Sequence, residues 1–138
     1  MYFKNFKMTM KIKITLYLIL TLTFNKGIFA NPKIDSGAHI YKEVCAVCHA
    51  SGVANAPKLG DHNSWKKLIS EGQVIITAHG YVGVRAMPSR GGKQDLTVDQ
   101  FAEALIYMVN KSGGNWVSPN KSMLDDINKE IINRKKSK

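Results

Sequence analysis

The sequence predicts an all-α fold of about four to five short helices. Apolar residues recur at steps of three and four in several segments, and no stretch alternates apolar and polar residues as a strand would. Glycine-rich stretches separate the periodic segments and are expected to be loops. The chain has 138 residues, of which 44% are hydrophobic, so we expect one globular domain and not a disordered chain.

Each helix has its own sequence signals. The helix after Thr97 shows the most complete set, because Thr97 and Gln100 form a capping box and an apolar stripe follows them. The last helix carries apolar residues at helical spacing and is expected to pack loosely on the body. In chain order, helices are predicted over residues 35–48, from a cap at Asn63 or Ser64 to Gly72, over residues 73–79, from Thr97 to Gly113, and over residues 122–135.

The formal charge of +10 comes mainly from the two ends of the chain. Nine of the 20 basic residues lie in the first 26 or the last five positions, which leaves eleven against ten acids in between. A middle region so close to neutral lacks the basic face with which nucleic-acid-binding proteins displace counterions. We therefore expect no nucleic-acid partner.

The N-terminus has the layout of a secretory signal. Residues 1–13 contain four lysines and no acid, and residues 14–24 form an apolar stretch. The small residue Ala30 precedes Asn31, so we expect cleavage after Ala30. An uncleaved anchor is the alternative, although the apolar stretch is shorter than the roughly 20 residues that span a bilayer. Translation from Met10 would give a more compact signal.

These features divide the chain into three predicted parts. Residues 1–30 are a signal peptide, residues 31–114 a folded domain, and residues 115–138 a helical extension with a basic tail. The extension is interpreted as a solvated tail, with a docking element for an acidic partner as the alternative. Export would place the protein in the periplasm, or at the membrane if the signal is not cleaved.

The segment CAVCH at residues 45–49 has the C-x-x-C-H spacing of a c-type haem attachment site. Residues three and four apart share one face of a helix, so both thiols can bond vinyl groups along one edge of a porphyrin. The imidazole next to the second thiol can then reach the iron. The motif predicts one covalently bound haem c, attached at Cys45 and Cys48, with His49 as an iron ligand.

Three other interpretations of the two cysteines are weaker. A dithiol redox pair is expected after a strand, and no strand is predicted there. A disulfide across so short a loop would be strained. A zinc site needs further ligands, and none stands at a paired zinc spacing among the candidates His39, His62 and His79.

Met87 is the candidate for the second axial ligand of the iron. It precedes Pro88 in a glycine-rich loop, and a residue before proline adopts an extended conformation, which turns the side chain off the loop. A thioether is a soft ligand, and His/Met ligation raises the reduction potential. Met108 is interpreted as a core residue because it lies on an apolar stripe. The remaining alternatives are Met123 and a bis-histidine haem with His62 or His79.

Further motifs accompany the attachment site in a specific order. They are Gly37 and Tyr41 before the cysteines, then APKLGD at residues 56–61, Trp65, AMPSRGG at residues 86–92 and ALIYM at residues 104–108. In this order they resemble the class I c-type cytochromes and are most similar to the bacterial cytochrome c5 family. The resemblance runs over residues 35–113.

The resemblance implies a small cytochrome c fold, formed by residues 31–114 around one haem. It also implies that the first and last family helices cross near Gly37 and Tyr107, with Tyr41 packed at the contact. Many family members carry a second cysteine pair after the methionine loop. This chain has no cysteine at residues 92–95, so that loop lacks the additional disulfide.

The resemblance also assigns two residues beside the haem. The carbonyl of Pro57 is expected to accept a hydrogen bond from the far nitrogen of His49, which fixes the tautomer of the imidazole. Trp65 is expected to lie against the haem or near a propionate.

The predicted function is electron transfer and not catalysis. With His49 and Met87 both on the iron, the haem has no open position for a small-molecule substrate. The protein would carry single electrons between exported or membrane-bound redox proteins, a membrane-bound oxidase or reductase among them. The alternative is a haem protein whose sixth position can be vacated, acting as a ligand sensor or a peroxidase.

Overall fold

A computed structural model describes residues 32–137, with side-chain environments from Ser36 onward. The predicted signal peptide and its cleavage site lie outside the described residues. Between residues 32 and 137 the chain forms helices and no strand apart from an isolated bridge, so the prediction of an all-α fold is confirmed. No helix in this range is long and apolar enough to cross a membrane.

The helices follow one another with short connections. A π-helical segment, Tyr41–Cys45, joins the first helix to the second without a break, and two 3-10 turns lie at Val53–Asn55 and Ser89–Gly92. The α-helices are α1 (Pro32–Ile40), α2 (Ala46–His49), α3 (His62–Glu71), α4 (Gln73–Val82), α5 (Val98–Lys111) and α6 (Lys121–Lys136).

Helices α1 and α5 cross at very close range. A Cβ atom at Gly37 would lie 2.3 Å from the carbonyl oxygen of Glu103, so the backbones can approach this closely only because residue 37 has no side chain. Next to the crossing, the rings of Tyr41 and Tyr107 pack with their centroids 5.4 Å apart. This is the crossing that the resemblance implies near Gly37 and Tyr107, with Gly37 directly against Glu103 and Tyr41 packed on Tyr107.

The core lies between this crossing and the shorter helices. Its largest fully buried side chains include Trp65, Ile106, Met108 and Ile127. Met108 is 2% exposed on the inner face of α5, in agreement with its interpretation as a core residue. Each of these residues comes from a helix whose apolar positions recur at three- and four-residue steps, so one face of the helix is buried.

Two helix boundaries differ from the sequence prediction. Asp61 caps α3, not Asn63 or Ser64, because its carboxylate accepts hydrogen bonds from the backbone N–H groups of those two residues. Helix α4 continues through Gly80 to Val82. Gly80 lies inside the helix and does not end it. A Cβ atom there would be 2.9 Å from the Phe101 ring, so the glycine is needed to let this ring pack on α4.

Helix α5 begins as predicted. The hydroxyl of Thr97 accepts from the backbone N–H of Gln100 at 3.2 Å, and the Gln100 side chain accepts from the backbone N–H of Thr97 at 3.0 Å. Both bonds satisfy donors that the first turn of a helix leaves free. The capping box is therefore confirmed.

Helix α6 is not loosely packed, contrary to the sequence prediction. Ile127 is 0% and Ile131 5% exposed, and Met123 packs against the same core, so the extension is not a solvated tail along its length. These three residues recur at four-residue steps and form one apolar face. The basic side chains follow at the end of the helix, where Lys135 and Lys136 are exposed.

Candidate haem site

The C-x-x-C-H residues lie where the π-helical segment meets α2. Cys45 and His49 are each 7% exposed and Cys48 is partly buried, whereas Val47 between the cysteines is 74% exposed. The two thiols and the imidazole therefore face the interior on one turn, and both cysteines are free of disulfides. The structure brings the three predicted attachment residues together in the arrangement that the motif requires.

The environment of Cys45 argues against a redox-active dithiol. Burial raises the pKa of the Cys45 thiol to about 11. The attacking thiol of a disulfide-exchanging pair has a lowered pKa, so Cys45 does not suit that role. A buried neutral thiol beside a second thiol is compatible with two thioether bonds to a haem.

The orientation of His49 is fixed by the loop that follows it. Its Nδ1 lies 2.8 Å from the carbonyl oxygen of Pro57. Because a carbonyl can only accept, Nδ1 carries the proton and Nε2 keeps its lone pair for a metal ion. The backbone N–H of Leu59 donates to the carbonyl of His49 at 2.8 Å and ties the loop to the same residue. The hydrogen bond that the resemblance implies is therefore present.

Trp65 supports this loop from α3. Its indole is 1% exposed, and its N–H donates to the carbonyl of Lys58 at 2.7 Å. The ring centroid lies 6.1 Å from that of His49. Trp65 thus packs beside the imidazole and anchors the segment that carries Pro57, and the loop cannot shift without breaking a buried hydrogen bond.

Met87 sits in a short hairpin that follows α4. Val84 and Met87 exchange two backbone hydrogen bonds, of 3.1 and 2.9 Å, and the Met87 side chain packs against the core. A Cβ atom at Gly80 would lie 3.8 Å from the Met87 methyl group. Gly83, with φ of +91°, passes so close to Ser89 that a Cβ atom would be 2.8 Å from its backbone nitrogen. A residue with a side chain would not fit this turn.

The methionine loop lies against the attachment segment. A Cβ atom at Gly91 would be 3.1 Å from a methyl group of Val44, the neighbour of Cys45. On its other side the loop is held by Tyr81, whose carbonyl accepts from the Ser89 hydroxyl at 3.1 Å. Gly83 and Tyr81 are determinants of the site that were not predicted from the sequence. A glycine four residues before the candidate methionine was the available signal.

The competing ligands lie in other places. Met108 lies on α5 and is buried in the core, and Met123 lies on α6 and packs against the same core. His79 lies between α4 and α6, 3.9 Å from Glu130, and the ring of His62 lies over Gly113. No group of three His, Cys, Asp or Glu side chains that could hold a metal ion is found among the residues whose side chains are described.

Comparisons with known proteins agree with this geometry. The model of the family described as cytochrome c oxidase, cbb3-type, subunit III matches residues 32–108, more than half of the chain. Cytochrome c-555 of Chlorobaculum thiosulfatiphilum is 38% identical over 81 residues, which are 56% of this chain and 94% of that protein. Cytochrome c5 of Ectopseudomonas mendocina is 36% identical over 75 residues, which are 53% of this chain and 86% of that protein.

A solved structure gives the same answer. A chain from the crystal structure of an electron transfer complex of nitrite reductase with cytochrome c superposes with a TM-score of 0.54 and 40% sequence identity, over 56% of this chain and 94% of that chain. The buried thiols and the oriented imidazole of this chain fit one covalently attached haem c. The chain belongs to the class I c-type cytochromes and carries electrons through that haem.

Proposed function

We propose that His49 and Met87 are the two axial ligands of the haem iron and that the protein is an electron carrier with no enzymatic activity. The observation that carries this proposal is the contact between the Met87 loop and the attachment segment, at Gly91 and Val44. It supports a methionine and a histidine that would both be available to hold the iron of one haem. Bound haem supplies a one-electron iron couple, whose potential His/Met ligation raises.

The residues around the site support this role by limiting movement. The carbonyl of Pro57 holds the proton on Nδ1 of His49, so the imidazole keeps one orientation. Two backbone hydrogen bonds between Val84 and Met87 fix the base of the methionine loop. Ligands that keep their positions in both oxidation states reduce the reorganisation that accompanies each electron, which favours fast transfer over bond-making chemistry.

Redox proteins are the proposed partners. Val47, at 74% exposed, lies within the attachment segment, and Val53, at 51%, lies just after it, so both offer apolar contact surface. Lys42 and Lys58 are exposed on the same stretch of chain and would steer an acidic partner toward it at low salt. A membrane-bound oxidase or reductase would meet these requirements.

The proposed location is the periplasm. Residues 1–30 carry the basic, apolar and small-residue segments of a secretory signal, and haem is joined to C-x-x-C-H motifs outside the cytoplasm. Mass determination of the purified exported protein is expected to give an N-terminus at Asn31. A protein that keeps residues 14–24 would contradict cleavage and support the uncleaved anchor.

The ligand assignment is tested with Met87→Ala. The weak methionine–iron absorption of the oxidised protein is expected to disappear, and the reduction potential is expected to fall, because a soft thioether stabilises the reduced iron. Met123→Leu is the comparison variant, since it removes the sulfur of another partly buried methionine, which is a rival ligand, and keeps the apolar face of α6. The assignment is wrong if Met108→Ala removes the absorption and Met87→Ala does not. Carbon monoxide binding by the unaltered reduced protein would favour the sensor or peroxidase alternative.

A further inference from the structure

Helix α6 belongs to the hydrophobic core although it lies beyond the part of the chain shared with the family. The family match ends at residue 108, and the stretch shared with cytochrome c-555 is 56% of this chain but 94% of that relative. Ile127 and Ile131 of α6 are buried in the same core cluster as Ile76 and Tyr81 of α4. The helix is a packed addition to the family domain.

The connection to α6 is itself fixed to the body. The Asn110 side chain donates to the carbonyl of Trp116 at 2.8 Å and accepts from its N–H at 2.7 Å. The Gln73 amide donates to the carbonyl of Val117 at 2.8 Å. These bonds tie the connection to both α5 and α4. The freedom that α6 loses on packing is therefore smaller than for a helix on a loose linker.

Helix α4 depends on α6 more than on its other helical neighbours. Its contact with α6 is more extensive than its contacts with α3 and α5. His79 of α4 lies 3.9 Å from Glu130 of α6, at the partly exposed margin of the contact. Ile127 of α6 is 0% exposed and belongs to the same core cluster as Ile76 and Tyr81 of α4. A change at Ile127 is therefore expected to loosen α4 first.

The end of α4 carries the methionine loop. The carbonyl of Tyr81 accepts from the Ser89 hydroxyl, and the Arg90 guanidinium lies 4.9 Å from the centre of the Tyr81 ring. The Met87 methyl group lies beside Gly80, 3.8 Å from the position that a Cβ atom of this residue would occupy. Any displacement of α4 is passed to Met87 through these contacts.

We propose that α6 positions Met87: by packing on α4 through Ile127, it holds the methionine loop in the arrangement that binds the iron. Ile127 is a positioning residue, since it lies on α6 and acts on Met87 only through α4. This proposal rests on the proposed ligation by Met87. It gives the extension of this chain a role in tuning the haem, beyond covering apolar surface.

The test uses the full-length oxidised holoprotein with Ile127→Ala, and Ile132→Ala as the matched control, because Ile132 is on the same helix but 52% exposed. The readouts are the methionine–iron absorption and the apparent affinity for imidazole, which competes with a detached methionine. Ile127→Ala is expected to weaken the absorption and to tighten imidazole binding about tenfold, since binding requires the detached form. Ile132→Ala is expected to leave both unchanged. If Ile127→Ala does not fold, Ile127→Val takes its place with a smaller shift in the same direction.

The outcomes separate this proposal from the one on which it rests. If Met87→Ala removes the absorption but the Ile127 variants match Ile132→Ala in absorption and imidazole affinity, the role of α6 is overturned and the ligation by Met87 stands. The role of α6 in positioning Met87 is overturned even if the Ile127 variants melt at a lower temperature, because α6 would then contribute to stability alone. If Met87→Ala leaves the absorption intact, both proposals are overturned.

Discussion

Single atoms decide the geometry at two places in this protein. One is Gly37, where a Cβ atom would lie 2.3 Å from a backbone oxygen, so helices α1 and α5 cross only over a glycine. The other is Nδ1 of His49, whose hydrogen bond to Pro57 fixes the tautomer. In both cases the requirement concerns the backbone of a distant residue. A substitution at Gly37 or at His49, even by a similar residue, would therefore lose the contact.

At the residue scale, His79 is expected to make stability depend on pH. Burial lowers the pKa of His79 below its ordinary value of 6.5, Arg134 lowers it further, and Glu130 and Glu71 act in the opposite direction with smaller effect. As the pH falls below about 6.5, the unfolded chain binds this proton before the folded one does, so the free energy of unfolding decreases. Above that pH the contribution is complete.

Denaturant unfolding of the holoprotein between pH 7.5 and pH 5 measures this effect. His79→Gln is expected to reduce the loss of stability at acid pH. Glu130→Gln is expected to increase it, because it removes a carboxylate that favours the protonated imidazole. A stability profile that His79→Gln leaves unchanged would contradict the assignment.

At the element scale, the start of α3 and the end of α4 are fixed for different reasons. Helix α3 begins at Asp61, whose carboxylate accepts from two backbone N–H groups of the first turn. Helix α4 ends at Gly83, whose φ of +91° and close approach to Ser89 exclude a side chain. Both boundaries differ from the sequence prediction. The first is set by the Asp61 carboxylate, which precedes the predicted caps, and the second by a contact with the methionine loop that no local signal reveals.

The cap of α3 gives a prediction at this scale. Asp61→Ala is expected to lower the melting temperature and Asp61→Asn to retain most of it, because an amide oxygen can still accept from the backbone of Ser64. The same hydrogen bond lowers the pKa of Asp61 below its ordinary value of 3.8. The charge contribution is therefore present above pH 3.8 and is lost as the pH falls through the lowered pKa. Thermal melts of the three proteins at pH 7 and pH 3 check this, and equal melts of all three would contradict it.

At the scale of the whole molecule, the haem is expected to complete the core. Cys45 and His49 lie on the attachment segment and Met87 lies on the methionine loop. The contact between the two segments at Val44 and Gly91 is small for segments whose relative position must be fixed. A covalently attached haem stays on the unfolded chain, so it would stabilise the fold through the apolar surface that it buries and through contacts that form only in the folded protein.

The corresponding prediction concerns Cys45→Ala combined with Cys48→Ala. The doubly substituted chain, purified without haem, is expected to melt at a much lower temperature and over a broader range than the holoprotein. The crossing of α1 and α5 does not involve the haem ligands, so its amides are expected to keep the most protection from hydrogen exchange. A haem-free chain with the cooperativity and melting temperature of the holoprotein would contradict this.

Much of the site follows from local sequence. The spacing of Cys45, Cys48 and His49 is a property of one helical turn, and any helix there brings them to one face. The capping box at Thr97 also involves neighbours in sequence. Met87 was named from the proline that follows it, and the structure adds the contacts that hold its loop in place.

The packing of α6 was underestimated for a physical reason. The helical spacing of Leu124, Ile127 and Ile131 is visible in the sequence, but a short apolar face beside many charges fits a loose helix as well as a docked one. What distinguishes the two is the surface that α4 offers, and that surface exists only after α4 has folded. The same holds for Gly80, which ends a helix by local rules and continues one when Phe101 packs on it.

The sequence by itself determined the helical class, the covalent attachment of one haem and the family, because these depend on residue types at short, fixed spacings. The tertiary structure decided the tautomer of His49, the path of the methionine loop and the docking of α6 on α4. These three depend on contacts between separate segments of the chain. Their positions are set by the packing of the whole molecule and by no local pattern.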